Sequence, residues 1–209
     1  MEVGPEHAPV LEAATTFADL GLDGRILGAL DDLGTAMNLA SLYIGKPFCD
    51  GSPETLKALE DVFKKQKPFV KTYGSTGYSE RMAANELALH TAWSGDVYRI
   101  RQENKDVKYV YPKEGVELWI DNLAIPAQAK NVDAAIKFIK FVLRPENSAA
   151  YSVSSGQIPT VDGALALLPQ ELRESPEFNV PANVPAVTAI ACPPEVINAY
   201  SQIWERLMR

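Results

Sequence analysis

Short apolar segments alternate with helical patterns along this chain, and that alternation restricts the fold more than any other feature. Residues 25–30 form a short apolar run that predicts a buried strand, and residues 36–44 follow at helical spacing. Later predicted strands are 69–73, 86–93 and 107–111, and later predicted helices are 53–67, 79–85, 96–102, 132–143 and 195–209. This order is typical of an α/β fold with a mixed, mainly parallel sheet flanked by helices.

Two segments near the end of the chain carry more specific expectations. The helix predicted for residues 132–143 has the clearest amphipathic pattern, and its inward face is expected to contain Ile136, Phe138, Ile139 and Val142. Residues 175–194 are rich in proline, so we expect an extended surface excursion there.

Composition limits the classes of partner. The chain has 209 residues, of which 46% are hydrophobic, and a formal net charge of −7. The apolar content is enough for one large core or two small ones. An acidic surface argues against nucleic acid and anionic membranes as partners, and it suits cationic ligands. No apolar run approaches the roughly 20 residues of a membrane-spanning helix.

The N-terminus and the cysteines bear on the cellular compartment. Residues 1–6 lack the basic and apolar regions of a signal peptide, so the protein is either cytoplasmic or begins after a removed signal. Cys49 and Cys192 are too few for a disulfide framework. One bridge between them is allowed, but the sequence alone cannot place it.

The residues needed for catalysis are not arranged in any familiar pattern. His7 lies in the N-terminal segment and His90 within a predicted strand, and neither accompanies a nucleophile in a recognisable context. There is no phosphate-binding loop after a strand, and no His, Cys or carboxylate cluster has metal-ligand spacing. We therefore predict a protein that is not an enzyme, with no catalytic residue, no metal site and no cofactor.

The stretch 117–126 combines an indole with a carboxylate. Its alternating pattern predicts a strand that ends at Pro126, which places Trp119 and Asp121 on one face. A tryptophan beside an aspartate suits an organic ammonium, because the ring faces the cation while the carboxylate accepts its hydrogen bonds. The alternative is a strand-end tryptophan over the core with a solvated aspartate. For this stretch alone, that alternative is the simpler interpretation.

Similar residues follow other predicted strands. Trp93 closes one strand, with Asp96 in the first turn of the next helix, and Asp32 follows another strand. Asp32 also has a simpler interpretation as a helix cap. In open α/β sheets, ligands bind outside the carboxyl ends of the strands. Together with Trp119 and Asp121, these residues therefore predict a cation site.

Several motifs occur in an order that resembles a known family. They are Trp93-Ser-Gly-Asp96, Tyr111-Pro-Lys-Glu-Gly115, the run from Trp119 to Asn131, and Phe141-Val-Leu-Arg-Pro-Glu146. They resemble the bacterial periplasmic polyamine-binding proteins, which are the spermidine and putrescine receptors of ABC importers and have the type II periplasmic-binding-protein fold. The similarity runs from about Phe17 to the C-terminus.

The resemblance implies roles for particular residues. An aromatic residue and an aspartate would grip the ligand at Trp93 and Asp96, and again at Trp119 and Asp121. The acidic loop at Asp32 would supply a further contact.

Two positions of the implied site depart from the family pattern. Thr35 stands where the family usually has an amine-binding glutamate, and Gln157 precedes the Pro-Thr loop where the family has an aromatic residue. These differences make a ligand with one amine, such as an amino acid analogue or an opine, an alternative to a polyamine.

A larger departure concerns the two lobes of the family. The family's first lobe begins with roughly a hundred residues before the part matched here. The resemblance therefore divides the chain into four parts: an N-terminal linker or helix (1–22), the second lobe (23–118), a crossover segment that belongs to the first lobe in the family (119–159), and a segment that returns to the second lobe (160–209).

The leading hypothesis is the solute-binding component of an ABC importer, or a fragment of one. It would capture a small cationic amine such as putrescine or spermidine in the periplasm and deliver it to a membrane permease. The alternatives are an isolated α/β domain that no longer binds and acts as a scaffold or assembles with itself, and an unrecognised enzyme. Because the resemblance leaves the first lobe incomplete, the helix 132–143 is expected to cover its apolar face. It would do so in a homodimer, which is the favoured outcome, or by folding back on residues 23–118.

Overall fold

The structure is a computed structural model, which describes residues 10–11, 27–29 and 33–209. The strands of this part of the chain are β1 (Val10–Leu11), β2 (Leu27–Ala29), β3 (Val70–Tyr73), β4 (Leu89–His90), β5 (Tyr111–Pro112), β6 (Val116–Leu118) and β7 (Ala186–Thr188). Every pairing between them is parallel. The order β3–β2–β4 forms one sheet, while β1 pairs with β5 and β6 pairs with β7. The predicted α/β class is therefore confirmed.

Helices surround these sheets. They are α1 (Leu33–Tyr43), α2 (Pro53–Gln66), α3 (Tyr78–Ala83), α4 (Ser94–Glu103), α5 (Val132–Val142), α6 (Pro145–Ser155), α7 (Gln170–Arg173) and α8 (Pro194–Met208). Short 3₁₀ turns occupy Lys67–Phe69, Leu165–Leu167 and Pro176–Phe178. None of the described helices is both long and apolar enough to cross a membrane.

Some strands are shorter than the sequence pattern predicts. Of the predicted strand 86–93, only β4 is formed. Asn85 adopts a left-handed backbone with φ of 60° after α3, and Trp93 is already the N-cap of α4. Only Leu89 and His90 pair with β2, so the strand is limited to these two residues. The predicted strand 107–111 is reduced in the same way to β5, which begins at Tyr111.

The largest core lies between α1, α2 and α8. Met37, Leu59 and Ile203 are almost completely buried in it. Helix α2 begins as predicted, because the Ser52 hydroxyl accepts a hydrogen bond from the Thr55 amide at 3.3 Å and Pro53 occupies the first turn. Helix α8 contributes residues at helical spacing, and its buried positions are Val196, Tyr200, Ile203 and Leu207.

Helix α5 does not bury its apolar face. The prediction that Ile136, Phe138, Ile139 and Val142 point inward is wrong for Ile136 and Phe138, which are exposed, while Ile139 and Val142 are only half-buried. No residue of α5 is fully buried. The neighbour of α5 in the fold is α6, which follows it directly in the chain. Among the described residues of the segment 23–118, the expected fold-back of α5 is therefore not observed.

The segment 175–194 is also different from the prediction. It was expected on the surface, yet Glu177 is only 1% exposed and Val184 is buried. The carboxylate of Glu177 accepts from Arg101 Nη1 at 2.7 and 2.9 Å, and the Tyr111 hydroxyl donates to the carbonyl of Pro176 at 2.7 Å. A buried carboxylate needs a charged partner, and Arg101 in α4 supplies it. This ion pair holds the segment against the body of the fold.

The two cysteines are joined. Cys49 follows α1 and Cys192 precedes α8, and they form a disulfide across a sequence separation of 143 residues. The bridge fastens the start of α8 to the loop between α1 and α2, at one end of the largest core.

We predict that reduction of this disulfide lowers stability. A bridge that closes a long loop restricts the unfolded chain, and its loss costs about 2–4 kcal/mol in typical proteins. Urea denaturation with and without dithiothreitol measures the difference. The double variant Cys49→Ser with Cys192→Ser serves as the control, since its midpoint should not respond to the reductant. Equal midpoints for the oxidised and reduced wild type would contradict the prediction.

A second prediction concerns the pair between Arg101 and Glu177. Arg101→Ala leaves the buried carboxylate of Glu177 without its cation, and we expect the free energy of unfolding to fall by about 3 kcal/mol. The matched control is Arg206→Ala, which removes an exposed pair with Glu60 and should cost at most about 1 kcal/mol. Urea denaturation of both variants tests this expectation, and equal losses would show that the Arg101 pair is no more than a surface contact.

Candidate functional site

A cleft of about 440 Å³ opens beside α1, β6 and the start of α4. Two tryptophans, two aliphatic side chains and a small group of polar residues surround it. The lining residues are Gly34, Thr35, Asn38, Trp93, Glu117, Trp119, Ala189 and Ile190. The cleft therefore combines aromatic walls with a carboxylate.

The two tryptophans of the cleft come from distant parts of the sequence. Trp93 is held at the N-cap of α4, where it packs on the small cluster that contains Tyr78 and Leu87. Trp119 directly follows β6 and is 44% exposed. Their ring centroids are 6.4 Å apart and their planes lie at 88°. The predicted proximity of Trp93 and Trp119 is thus realised as an edge-to-face pair.

The polar wall of the cleft is formed by α1 and β6. Asn38 Nδ2 donates to Glu117 Oε1 at 2.5 Å, and Thr35 lies one turn earlier on α1. Glu117 is the one charged side chain among the described residues that line the cleft. Glu117 and Asn38 were not predicted from the sequence as site residues. A sequence feature that could have pointed to them is a polar residue inside an apolar run. Glu117 stands between Val116 and Leu118, and Asn38 stands within residues 36–44.

Asp96 lies close to the cleft without lining it. It sits in the first turn of α4, where the Tyr78 hydroxyl donates to one carboxylate oxygen and the guanidinium of Arg99 donates to the other. Burial raises the pKa of the Tyr78 phenol, which keeps that hydroxyl a donor at neutral pH. Asp96 is thereby held between two donors of its own chain.

His90 supports this arrangement from β4. Its ring stacks on Tyr78 with centroids 4.5 Å apart and planes within 3°. Burial lowers the pKa of His90, because it disfavours the charged imidazolium. The interpretation of His90 as a strand residue agrees with this placement in β4.

The other predicted site residues are more dispersed. Strand β6 ends at Leu118, so the prediction that Trp119 and Asp121 share one strand face is wrong, and Asp121 is exposed outside the cleft lining. Residues 119–124 are all exposed. They have no strand partner among the described residues, so the pairing of β6 with β7 ends at Leu118. Gln157 is exposed in the turn after α6, and its Cγ lies close to Gly95 at the start of α4. Asp32 lies outside the described residues.

Metal ligands do not cluster in the described part of the chain. No group of three or more His, Cys, Asp or Glu side chains converges there in a way that could hold a metal ion. The chemistry that the cleft offers is instead contact between aromatic rings, a carboxylate and amide or hydroxyl groups.

Sequence comparison supplies the wider context. The family described as bacterial extracellular solute-binding protein matches residues 15–181. Spermidine/putrescine-binding periplasmic protein 1 of Haemophilus influenzae is 30% identical over 175 residues, which is 83% of this chain and 49% of the relative. The spermidine/putrescine-binding periplasmic protein of Escherichia coli is 33% identical over 138 residues, which is 65% of this chain and 39% of that protein. This chain thus spans half the length of these relatives or less.

A solved structure agrees with the sequence matches. The substrate-binding protein of a spermidine/putrescine ABC transporter from Streptococcus pneumoniae superposes with a TM-score of 0.79 at 26% identity, over 95% of this chain and 63% of that one. The type II periplasmic-binding-protein fold expected from the motifs is confirmed by this likeness. Four fifths of the chain lie within the family match and the fold agrees with it, so the chain belongs to the bacterial extracellular solute-binding proteins.

Proposed function

We propose that this chain acts in a solute receptor of an ABC importer and binds a small cationic amine such as putrescine or spermidine. The observation that carries the proposal is the cleft in which Trp93 and Trp119 meet beside the carboxylate of Glu117. Aromatic faces attract an organic ammonium, and a carboxylate accepts its hydrogen bonds. Relatives named for spermidine and putrescine binding support the same ligand class.

The proposed mechanism is capture of the amine from water. Methylene groups of the ligand would pack on the indole rings, and this packing removes apolar surface from solvent. The ammonium groups would bind carboxylates near the rings. The acidic chain, with its net charge of −7, favours the approach of a cation. No step requires bond making or breaking, which agrees with membership of a family of binding proteins.

Within this proposal the residues predicted from the sequence keep their roles as hypotheses. Trp93 and Trp119 would hold the methylene chain, and Asp96 and Asp121 would bind ammonium groups. Thr35 lines the cleft and is a candidate hydrogen-bonding partner. Gln157 near α4 and Asp32 before α1 complete the proposed set.

The compartment and the partner follow from the same function. A disulfide between Cys49 and Cys192 persists in an oxidising compartment, and relatives carry periplasmic names. We therefore propose a periplasmic protein that delivers its ligand to the membrane permease of an ABC transporter. No nucleic-acid partner is proposed.

We also retain the division of the chain into lobes as a proposal. Residues 23–118 and 160–209 would form the second lobe, while 119–159 would belong to the first lobe after the N-terminal segment 1–22. Exposure supports this division, because residues 119–124 and most of α5 lie in solvent.

Ligand binding is testable by calorimetry with putrescine and spermidine. Asp121→Asn should weaken binding more than Trp119→Phe, because a charge-assisted hydrogen bond contributes about 1.5–3 kcal/mol, while a cation–π contact at an exposed site contributes about 0.5–1 kcal/mol. Asp106→Asn, which removes an exposed carboxylate after α4, is the matched control and should bind like the wild type. Equal affinities for the wild type and Asp121→Asn would remove Asp121 from the site. Absence of binding by the wild type would remove the proposed function.

The exposed face of α5 leads to a proposal about assembly. Phe138 and Phe141 are both more than half exposed, and burying such a side chain contributes about 1.5–3 kcal/mol. We propose that two copies pair through α5 in a symmetric dimer. Light scattering across a dilution series should give a dimer that Phe138→Glu converts to a monomer, while Lys137→Glu on the same helix leaves it intact. A wild type that is monomeric at every concentration would exclude the dimer.

A further inference from the structure

We propose that Arg99 sets the affinity of the cleft for amines by competing with the ligand's ammonium group for the carboxylate of Asp96. The inference rests on the proposed function, because it concerns the same site. The inference adds to the proposed site a positively charged residue, Arg99, that opposes binding of a cation. It therefore predicts that a variant without this charge binds amines more tightly than the wild type.

The carboxylate of Asp96 is occupied by groups of its own chain. One oxygen accepts from the Tyr78 hydroxyl, and the other forms an ion pair with the Arg99 guanidinium. The Asp96 side chain is 21% exposed, so an incoming cation can reach it. Tyr78 is neutral and leaves the charge of Asp96 unchanged, whereas Arg99 neutralises it. An ammonium that binds Asp96 must therefore displace Arg99 or share the carboxylate with it.

This ion pair adjoins the cleft through the start of α4. Asp96 is three residues after Trp93, whose indole lines the cleft. The ring of Tyr78, which holds Asp96 through its hydroxyl, lies 6.2 Å from the ring of Trp93. The Asp96 carboxylate is therefore connected to the aromatic wall of the cleft through Tyr78 and Trp93.

Arg99 is fixed at a second point. Its guanidinium also donates to the carbonyl of Ser155 at the end of α6. A Cβ on Gly95 would lie 2.9 Å from that same carbonyl oxygen, so the backbones of α4 and of the turn after α6 approach very closely here. The start of α4 and the end of α6 are therefore in direct backbone contact beside Arg99. Arg99 is thereby positioned on Asp96 by the fold and does not depend on a single flexible ion pair.

The electrostatic consequence has a definite sign. Removing the guanidinium returns a full negative charge to Asp96, and that charge then attracts an ammonium without a competitor. Half of the Arg99 side chain is exposed, so solvent screens the pair and the gain is moderate. We expect Arg99→Gln to tighten putrescine and spermidine binding by about threefold to tenfold.

The experiment is isothermal calorimetry with putrescine and spermidine at low salt. Arg206→Gln is the matched control: Arg206 is 49% exposed, pairs with a glutamate, and lies on α8 beside α2. It changes the net charge by the same amount and should alter affinity less than twofold. Arg99→Met is a second variant that keeps the aliphatic stem, and thermal denaturation of each variant verifies folding. A purely structural role for Arg99 would weaken binding or leave it unchanged.

A double-mutant cycle assigns the gain to Asp96. In the Asp96→Asn background, Arg99→Gln should give no tightening, because no carboxylate remains to be released. Unchanged or weaker binding by both Arg99 variants, with a wild type that binds, overturns this inference and leaves the proposed function intact. A gain that persists in the Asp96→Asn background also overturns it. If the wild type and every variant fail to bind either amine, the proposed function itself is wrong and the inference falls with it.

Discussion

The packing of α8 against α1 and α2 is the interaction on which the rest of the described structure depends. Residues near the end of the chain, including Ile203, bury Met37 and Leu59 from its first third. This packing fixes α1, and α1 carries Thr35 and Asn38 on one side of the cleft. The hydrogen bond from Asn38 to Glu117 then ties α1 to β6, after which Trp119 follows. The cleft is thus a consequence of helix packing at some distance from it.

Short-range and long-range features of the sequence differed in what they could predict. The ends of α2 and the apolar periodicity of α8 are determined by residues close together in the sequence, so both were predicted correctly. The strands were overestimated, since their length depends on partners that lie far away in sequence, and β6 stops at Leu118 for lack of such a partner. The proximity of Trp93 and Trp119 was predicted from their shared position at strand ends, and their rings are indeed in contact. Glu117 was missed because its importance comes from Asn38, which lies 79 positions earlier.

Helix α5 shows a second limit of pattern reading. An amphipathic pattern predicts that a helix has an apolar face, but it does not predict which part of the protein covers that face. In α5 the face with Phe138 and Phe141 stays in water.

The roles of acidic residues are also hard to predict from sequence, because each role depends on the residue that pairs with the carboxylate. Arg206 and Lys64 lower the pKa of Glu60 to about 2, Arg101 neutralises Glu177 in the interior, and Arg99 neutralises Asp96 beside the cleft. From sequence these three acids look alike.

The order in which parts of the core occur in the chain constrains how this protein reaches its native state. Helices α1 and α2 cannot complete their core until α8 has left the ribosome, and the cysteine that follows α1 waits for a partner 143 residues later. Strands β6 and β7 likewise pair across a long intervening segment. Contacts of this kind slow folding, because a long loop must close before they contribute. The nascent chain therefore cannot bury this core until the ribosome has synthesised α8, which lies more than a hundred residues after α2.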